Sequence, residues 1–400
     1  MPPAPRRLLL AFMLTTVLVP ATFLNKILFI ALMGWTLRVM LLSPGLRPRL
    51  FAPAFLAVAI FFYGLVLCLP GHNDNSLAIQ FFLSTFVLLL IHFIEHFDID
   101  MDRAAELCGR AILLATAVYW FLALNPDAPY GSDLLKWFDD ASQSSSSKRD
   151  YLEDPTLTLA LGSAPFLFVP WSIVVLRLFR TPRMVDVVWL LAYAVVITVS
   201  GARGIITVAL AFLAVGAIWL SSPSRRIIIV LALAAALAIS VPVVLTTTSL
   251  FSSDEISNAA KIGHFKSFID VLDLRSAVSG NGLGSYYFSS GSGYITPHTE
   301  LTPIDLARYV GIPLAIGFYC LLLLPLNSLR AYRGEHFLYC VAFFLYLVLS
   351  LTNPVLINSY GMLVILWYWA KLQAVSVQRP AVRAVTEPVT REAAQSGTPS

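Results

Sequence analysis

Runs of about 20 consecutive apolar residues recur along nearly the whole chain, and no other feature limits the fold so tightly. Segments long enough to cross a bilayer lie at 8–22, 23–42, 51–69, 77–97, 104–124, 155–178, 184–200, 204–220, 227–247, 305–326, 336–351 and 355–372. Within hydrocarbon every backbone N–H and C=O has to be satisfied inside the segment itself, so runs of this length read as helices. The expected fold class is an all-α polytopic membrane protein with about 12 transmembrane helices. Pro20, Asn25 and Lys26 fit either a tight turn between the first two segments or a kink in one long helix, which gives twelve spans or eleven. Only 12% of the 400 residues are charged and 58% are hydrophobic, a balance that excludes a secreted or cytoplasmic globular enzyme. The stretch after Arg6 and Arg7 runs on without a small-residue cleavage site, so it reads as an anchor rather than a removable leader. Cys68, Cys108, Cys320 and Cys340 show no paired spacing, which points to neither a disulfide framework nor a zinc site.

The charges supply the sidedness. With the amino terminus inside, most of the 27 Lys and Arg fall on the cytoplasmic side, including Arg103, Arg110, Arg177, Arg180, Arg183, Arg225, Arg226 and Lys371. Both large loops then face outward. Residues 1–247 hold helices 1–9, interrupted by an acidic outer loop at 125–154 that is expected to be only loosely structured. Residues 248–304 form the large outer loop, 305–373 hold helices 10–12, and 374–400 make a cytoplasmic tail without periodicity, expected to be disordered. In the large loop, Ser252 and Glu255 have capping-box spacing, and Ile256, Ala260, Phe268 and Leu272 recur at helical intervals. That pattern predicts an amphipathic helix on the membrane surface. The run Gly280-Asn281-Gly282-Leu283-Gly284-Ser285 then breaks it. Without a Walker lysine or a strand before it, the run reads as a turn for close backbone packing rather than a phosphate loop.

Charged groups near spans need a reason to be there. Arg203 sits in Ser200-Gly201-Ala202-Arg203-Gly204, a turn at the outer face whose following helix adds its positive dipole to the guanidinium. It suits an anion, although an arginine snorkelling to lipid phosphate is the plainer account. Asp305 and Arg308 stand three apart on a helix and fit an ion pair. Glu300 and His298 have no such local partner. Lys261, His264 and Arg275 are expected near one face of the loop helix, where a solvated basic surface is the commoner outcome. Lys26, Arg38, His92, Glu95 and Asp186 are expected at the headgroups. Neither outer loop carries a nucleotide fold, a paired-aspartate metal motif or a zinc motif, and no cofactor or metal is expected.

The segments SGARG (200–204), GNGLGSYY (280–287) and TELTPIDLARYVGIP (299–313), in this order around a large outer loop, resemble the O-antigen polymerase and O-antigen ligase superfamily of bacterial envelope glycosyltransferases. The motifs cover about 200–313, and the likeness in hydropathy covers nearly the whole chain. Ligases carry His-Asn about eleven residues ahead of the glycine matching Gly311. Here Glu300 holds that spacing, and His298 lies two residues earlier with Thr299 after it. This departure favours the polymerase branch and leaves Glu300 and His298 both open as catalytic base.

The resemblance implies metal-independent, inverting glycosyl transfer at the periplasmic face of a bacterial inner membrane. Its partners would be undecaprenyl-pyrophosphate-linked glycans, the lipid bilayer and a chain-length regulator, with no nucleic acid. Arg203 would hold pyrophosphate, with Arg308 and loop residues Lys261, Lys266 or Arg275, while His264, Tyr286 and Asp305 would touch substrate. A ligase acting on lipid A core is the first alternative. A lipid-linked glycan flippase or transporter is the second, disfavoured because the polar groups gather at one face and the two halves are unrelated.

Overall fold

Apolar sequence of this length satisfies its backbone as helix, and the described residues are mostly helical. The computed structural model describes residues 3–42, 48–69, 71, 73–125, 131–142, 145–149, 156–160, 162–247, 256–299, 301–326 and 335–386. The first half comprises α1 (Pro3–Leu18), α2 (Phe23–Leu42), α3 (Pro48–Cys68), α4 (Asn75–Thr85), α5 (Leu90–His96), α6 (Met101–Leu124), α7 (Gly131–Ser142), α8 (Phe168–Arg180) and α9 (Met184–Val199). The second comprises α10 (Arg203–Leu220), α11 (Pro223–Thr247), α12 (Ile256–Val271), α13 (Leu274–Ser279), α14 (Thr302–Val310), α15 (Ile312–Leu323), α16 (Glu335–Thr352) and α17 (Ser359–Thr386). Strands β1 (Ser145–Arg149) and β2 (Thr156–Ala160) form one antiparallel hairpin, and β3 (Tyr287–Ser289) and β4 (Tyr294–Thr296) a second.

Five of the described helices are individually long and apolar enough to cross a membrane: Phe23–Leu42, Phe51–Cys68, Asn75–His96, Met101–Leu124 and Arg203–Leu220. Three shorter apolar helices, Met184–Val199, Ile312–Leu326 and His336–Thr352, accompany them. The architecture is that of a helical bundle compatible with a membrane protein. Its outward side chains agree, since Phe23, Ile30, Leu41, Leu114, Phe121, Met184 and Leu191 all point away from the core. At the centre lies α17, whose residues 361–369 are buried on every side, with Trp367, Trp369 and Tyr368 among them. A helix apolar all round belongs there.

The elements depart from the expected spans in four places. The expected span at 155–178 opens as β2, because Thr-Leu-Thr-Leu-Ala alternates with the period of a strand, and becomes α-helical only at Phe168. Its partner β1 and the helix α7 give the acidic loop more regular structure than expected, and Tyr119 on α6 donates to Asp139 to hold α7 in place. The expected span at 305–326 is broken at Gly311, whose φ of +84° ends α14 and begins α15. Finally, α17 continues past Pro380 to Thr386, into the stretch expected as a disordered tail. Residues 387–400 of the expected tail, and the expected cap at Ser252 and Glu255, lie outside the described residues.

Between α1 and α2 the chain turns at 19–22. Asn25 fixes that turn: its Oδ1 accepts from Thr15 and Thr16 at 3.1 and 3.0 Å, and its Nδ2 donates to Pro20 O at 3.2 Å. Two helices, not one kinked helix, result.

Helix ends gather into two groups. At one end Arg6 donates to Asp98 O, Asp102 accepts from Trp367 Nε1 and pairs with Lys371, and Arg177 bridges Glu106 and Asp186 at 2.7 Å each. Asp186 is thus a buried ion-pair partner rather than a headgroup residue, and His92 is likewise buried, its ring edge against Phe51. Both depart from the expectation because their neighbours come from distant helices. The opposite end carries the α1–α2 turn, the α3–α4 turn, the start of α10, the end of α16 and the 256–299 segment. We call these the basic end and the loop end.

Candidate active site at the loop end

The glycine run is the joint that fastens the long loop to the bundle. Gly280, Gly282 and Gly284 take φ of +74°, +86° and +67°, conformations that a side chain resists. Their backbones lie directly on neighbours: Asn281 N donates to Arg308 O at 2.8 Å, Gly282 N to Tyr309 O at 3.0 Å, and Leu283 N to Gly64 O at 2.9 Å. Asp74 N, at the cap of α4, donates to Gly284 O at 2.9 Å. A Cβ on Gly280 would lie 2.5 Å from Tyr309 O, and one on Gly282 2.7 Å from Cys68 N. The run therefore serves close packing, and its amides are spent on protein carbonyls.

What it grips is α14, which holds the segment carrying His298. Asp305 and Arg308 are both buried and pair at 3.2 Å. Asp305 Oδ2 also accepts from Thr299 N at 2.7 Å, while Arg308 Nη2 and Tyr309 Oη both donate to Pro297 O, at 2.5 and 2.6 Å. Thr296 Oγ1 donates to His298 O at 2.7 Å. Four side chains thus fix the backbone of 297–299 and leave the His298 side chain exposed. The Arg308 guanidinium stacks over the Tyr287 ring at 4.0 Å. Its Nε and Nη1, together with Tyr287 Oη and Ser285 Oγ, are buried without a hydrogen-bond partner among the described residues.

Burial pushes the Asp305 carboxyl above the usual carboxylate range, and the Arg308 charge and the Thr299 N–H oppose that shift. Burial likewise raises the Tyr287 phenol.

No protein-family model matches this sequence, and no curated protein matches it. The functional reading rests on the residues.

Arg203 is the first residue of α10, after Gly201 at φ +64°, and is partly buried. Its turn joins the α14 region through Asn353. A Cβ on Gly204 would lie 2.8 Å from Asn353 Nδ2, and Thr302 Oγ1 donates to Asn353 O at 3.0 Å. One residue at the end of α16 therefore touches both the helix start with Arg203 and the helix start with Thr302.

The remaining expected site residues divide. Glu300 lies outside the described residues. His264 is buried, its Nδ1 2.5 Å from Ser289 Oγ, and braces α12 against β3. Lys261 is half-buried on the same helix, whereas Lys266 and Tyr286 are exposed. Arg275 does not share a face with Lys261 and His264. Asp273 and Ser276 form a capping box, with Ser276 N donating to Asp273 Oδ1 at 2.7 Å, and this starts the separate helix α13. A helix stands at the expected place as α12, but it is not amphipathic: it buries His264 and Ser267 beside Phe268 while turning Ile262, Phe265 and Ile269 outward. Tyr287, Tyr309, Thr299 and Asn353 were not anticipated. Thr299 meets Asp305 through its backbone N–H, a contact that no local sequence pattern signals.

Proposed function

We propose that this protein polymerises repeat units of a lipid-pyrophosphate-linked glycan by metal-independent, inverting glycosyl transfer, with the loop end on the periplasmic face of a bacterial inner membrane. The observation that carries the reading is the anchoring of residues 297–299 on α14, next to a helix start that presents Arg203. A base and an anion-binding group at one membrane face are what such a reaction needs.

The acceptor hydroxyl attacks the anomeric carbon of the donor glycan, forming a C–O bond as the bond to the pyrophosphate oxygen breaks. Inversion follows from this single displacement. The hydroxyl proton passes to Glu300 or His298, and the departing pyrophosphate is stabilised by Arg203, aided by the positive end of α10 and the basic loop residues. Arg308, buried under Tyr287, supports the 297–299 segment.

Deleting the coding sequence in its own host tests the reading. Envelope glycan is expected to stop at single repeats, on their carrier or on lipid A core. Long polymer accumulating on the carrier, with none on lipid A, would instead assign the protein as a ligase.

A further inference from the structure

A cavity of about 470 Å³ opens among α1, α2, α4 and the start of α17, at the loop end. Phe12, Phe29, Ile79 and Leu83 give it an apolar wall, and Lys26 and Gln80 are among its polar lining residues. Ligand pockets span about 300–1,000 Å³ and combine an apolar lining with a few polar groups, so both size and lining fit a bound molecule.

The polar lining is positive. The turn fixed by Asn25 starts α2 at Phe23 and puts Lys26 in its first turn, while α4 and α17 begin with residues of the same lining. The N-termini of α2 and α17 thus add their dipole ends to one lysine, while that of α4 is capped by the Asp74 carboxylate. No acidic side chain is among the lining residues. Lys26 is exposed and makes no ion pair among the described residues. Ile79 and Leu83 are themselves half exposed and continue the outward apolar face of α2 at Phe23, Ile27 and Ile30. A hydrocarbon chain can therefore enter from the bilayer side.

We propose that this groove binds one phosphate-bearing lipid drawn from the surrounding bilayer, its chain along Phe12, Phe29, Ile79 and Leu83 and its phosphate at Lys26. The inference does not depend on the proposed reaction. It does place the lipid near the candidate site: the turn after α16 touches Thr302 through Asn353, and the same connection lines the groove a few residues on, at Ser359.

The test uses the full chain, purified in a nonionic detergent and examined by native mass spectrometry with added phosphatidylglycerol, a polyprenyl phosphate or diacylglycerol. One phosphate lipid per chain is expected to stay bound, and diacylglycerol is not. Lys26→Glu should lower retention by about tenfold or more, Ile79→Trp should lower it by filling the groove, and Lys26→Arg should keep it. Both positions are exposed, and an unchanged unfolding temperature would confirm that neither substitution disturbs the fold. Displacement of phosphatidylglycerol by the polyprenyl phosphate would identify a lipid-linked substrate as the natural occupant; indifference between the two would identify a membrane phospholipid. Equal retention of diacylglycerol, or unchanged phosphatidylglycerol binding in both Lys26→Glu and Ile79→Trp, would overturn the proposal. Because binding is read without glycan transfer, failure of the polymerase reading leaves the result standing.

Discussion

Arg203 concentrates two sources of positive potential, its own guanidinium and the first turn of α10, at a point where the neighbouring side chains are small. Arg203→Ala is expected to lower polymer formation by about a hundredfold or more at normal protein abundance, the scale of losing a charge-stabilising donor. Lysine should restore only part, since it lacks the planar fork. Glu300 is the first choice as base, and His298, whose residue type titrates nearest neutral pH, the second. Glu300→Gln should therefore abolish polymer and His298→Gln reduce it less; the reverse order in a polymer ladder assay would move the assignment to His298. Asp305 gives a pH signature. Its native carboxyl, raised by burial, keeps its proton where the unfolded chain has lost it. Its contribution to stability is therefore full below the ordinary carboxylate value of about 4 and falls as pH rises through the raised one. Unfolding temperatures across that window should decline in the native chain, and the decline should flatten in Asp305→Asn.

At the scale of elements, the joint between the glycine run and α14 is the most consequential contact. Gly280→Ala would force a Cβ onto Tyr309 O at a positive φ, whereas Gly293, also at positive φ (+77°), faces open space. The first substitution should destabilise by several kcal/mol and the second by only about 1–2 kcal/mol, the cost of the left-handed backbone alone. Differential scanning fluorimetry in detergent measures both. Much at this scale was legible in the sequence. The long apolar runs became helices, the Asp305–Arg308 spacing became an ion pair, and the glycine run became a packing turn. Other features were not. The strand character of 156–160 was masked by the apolar run that follows it. The break at Gly311 depended on a φ value that a glycine permits but does not announce. The ion pairs of Arg177 join residues 9 and 71 positions away, and the clamp on Pro297 needs Arg308 and Tyr309 brought back across the chain. Such pairings arise from tertiary packing and leave no local pattern.

For the molecule as a whole, the split between a basic end and a loop end is what orients the account. Cysteine labelling in intact cells should find Tyr286→Cys, at an exposed position of the same loop, and Ser145→Cys reactive from outside, and Ser224→Cys and Arg333→Cys only after the membrane is opened. Labelling of Tyr286→Cys from the cytoplasm alone would reverse the orientation and remove the proposed site from its substrate. The most direct measurement of the central claim uses the protein reconstituted in liposomes and supplied with lipid-linked single repeats extracted from the deletion strain, without nucleotide sugar or divalent metal. A ladder of glycans longer than one repeat is the expected product, absent with Arg203→Ala; single repeats that cross the bilayer unchanged, with no longer species at any time, would contradict the account and identify a transporter.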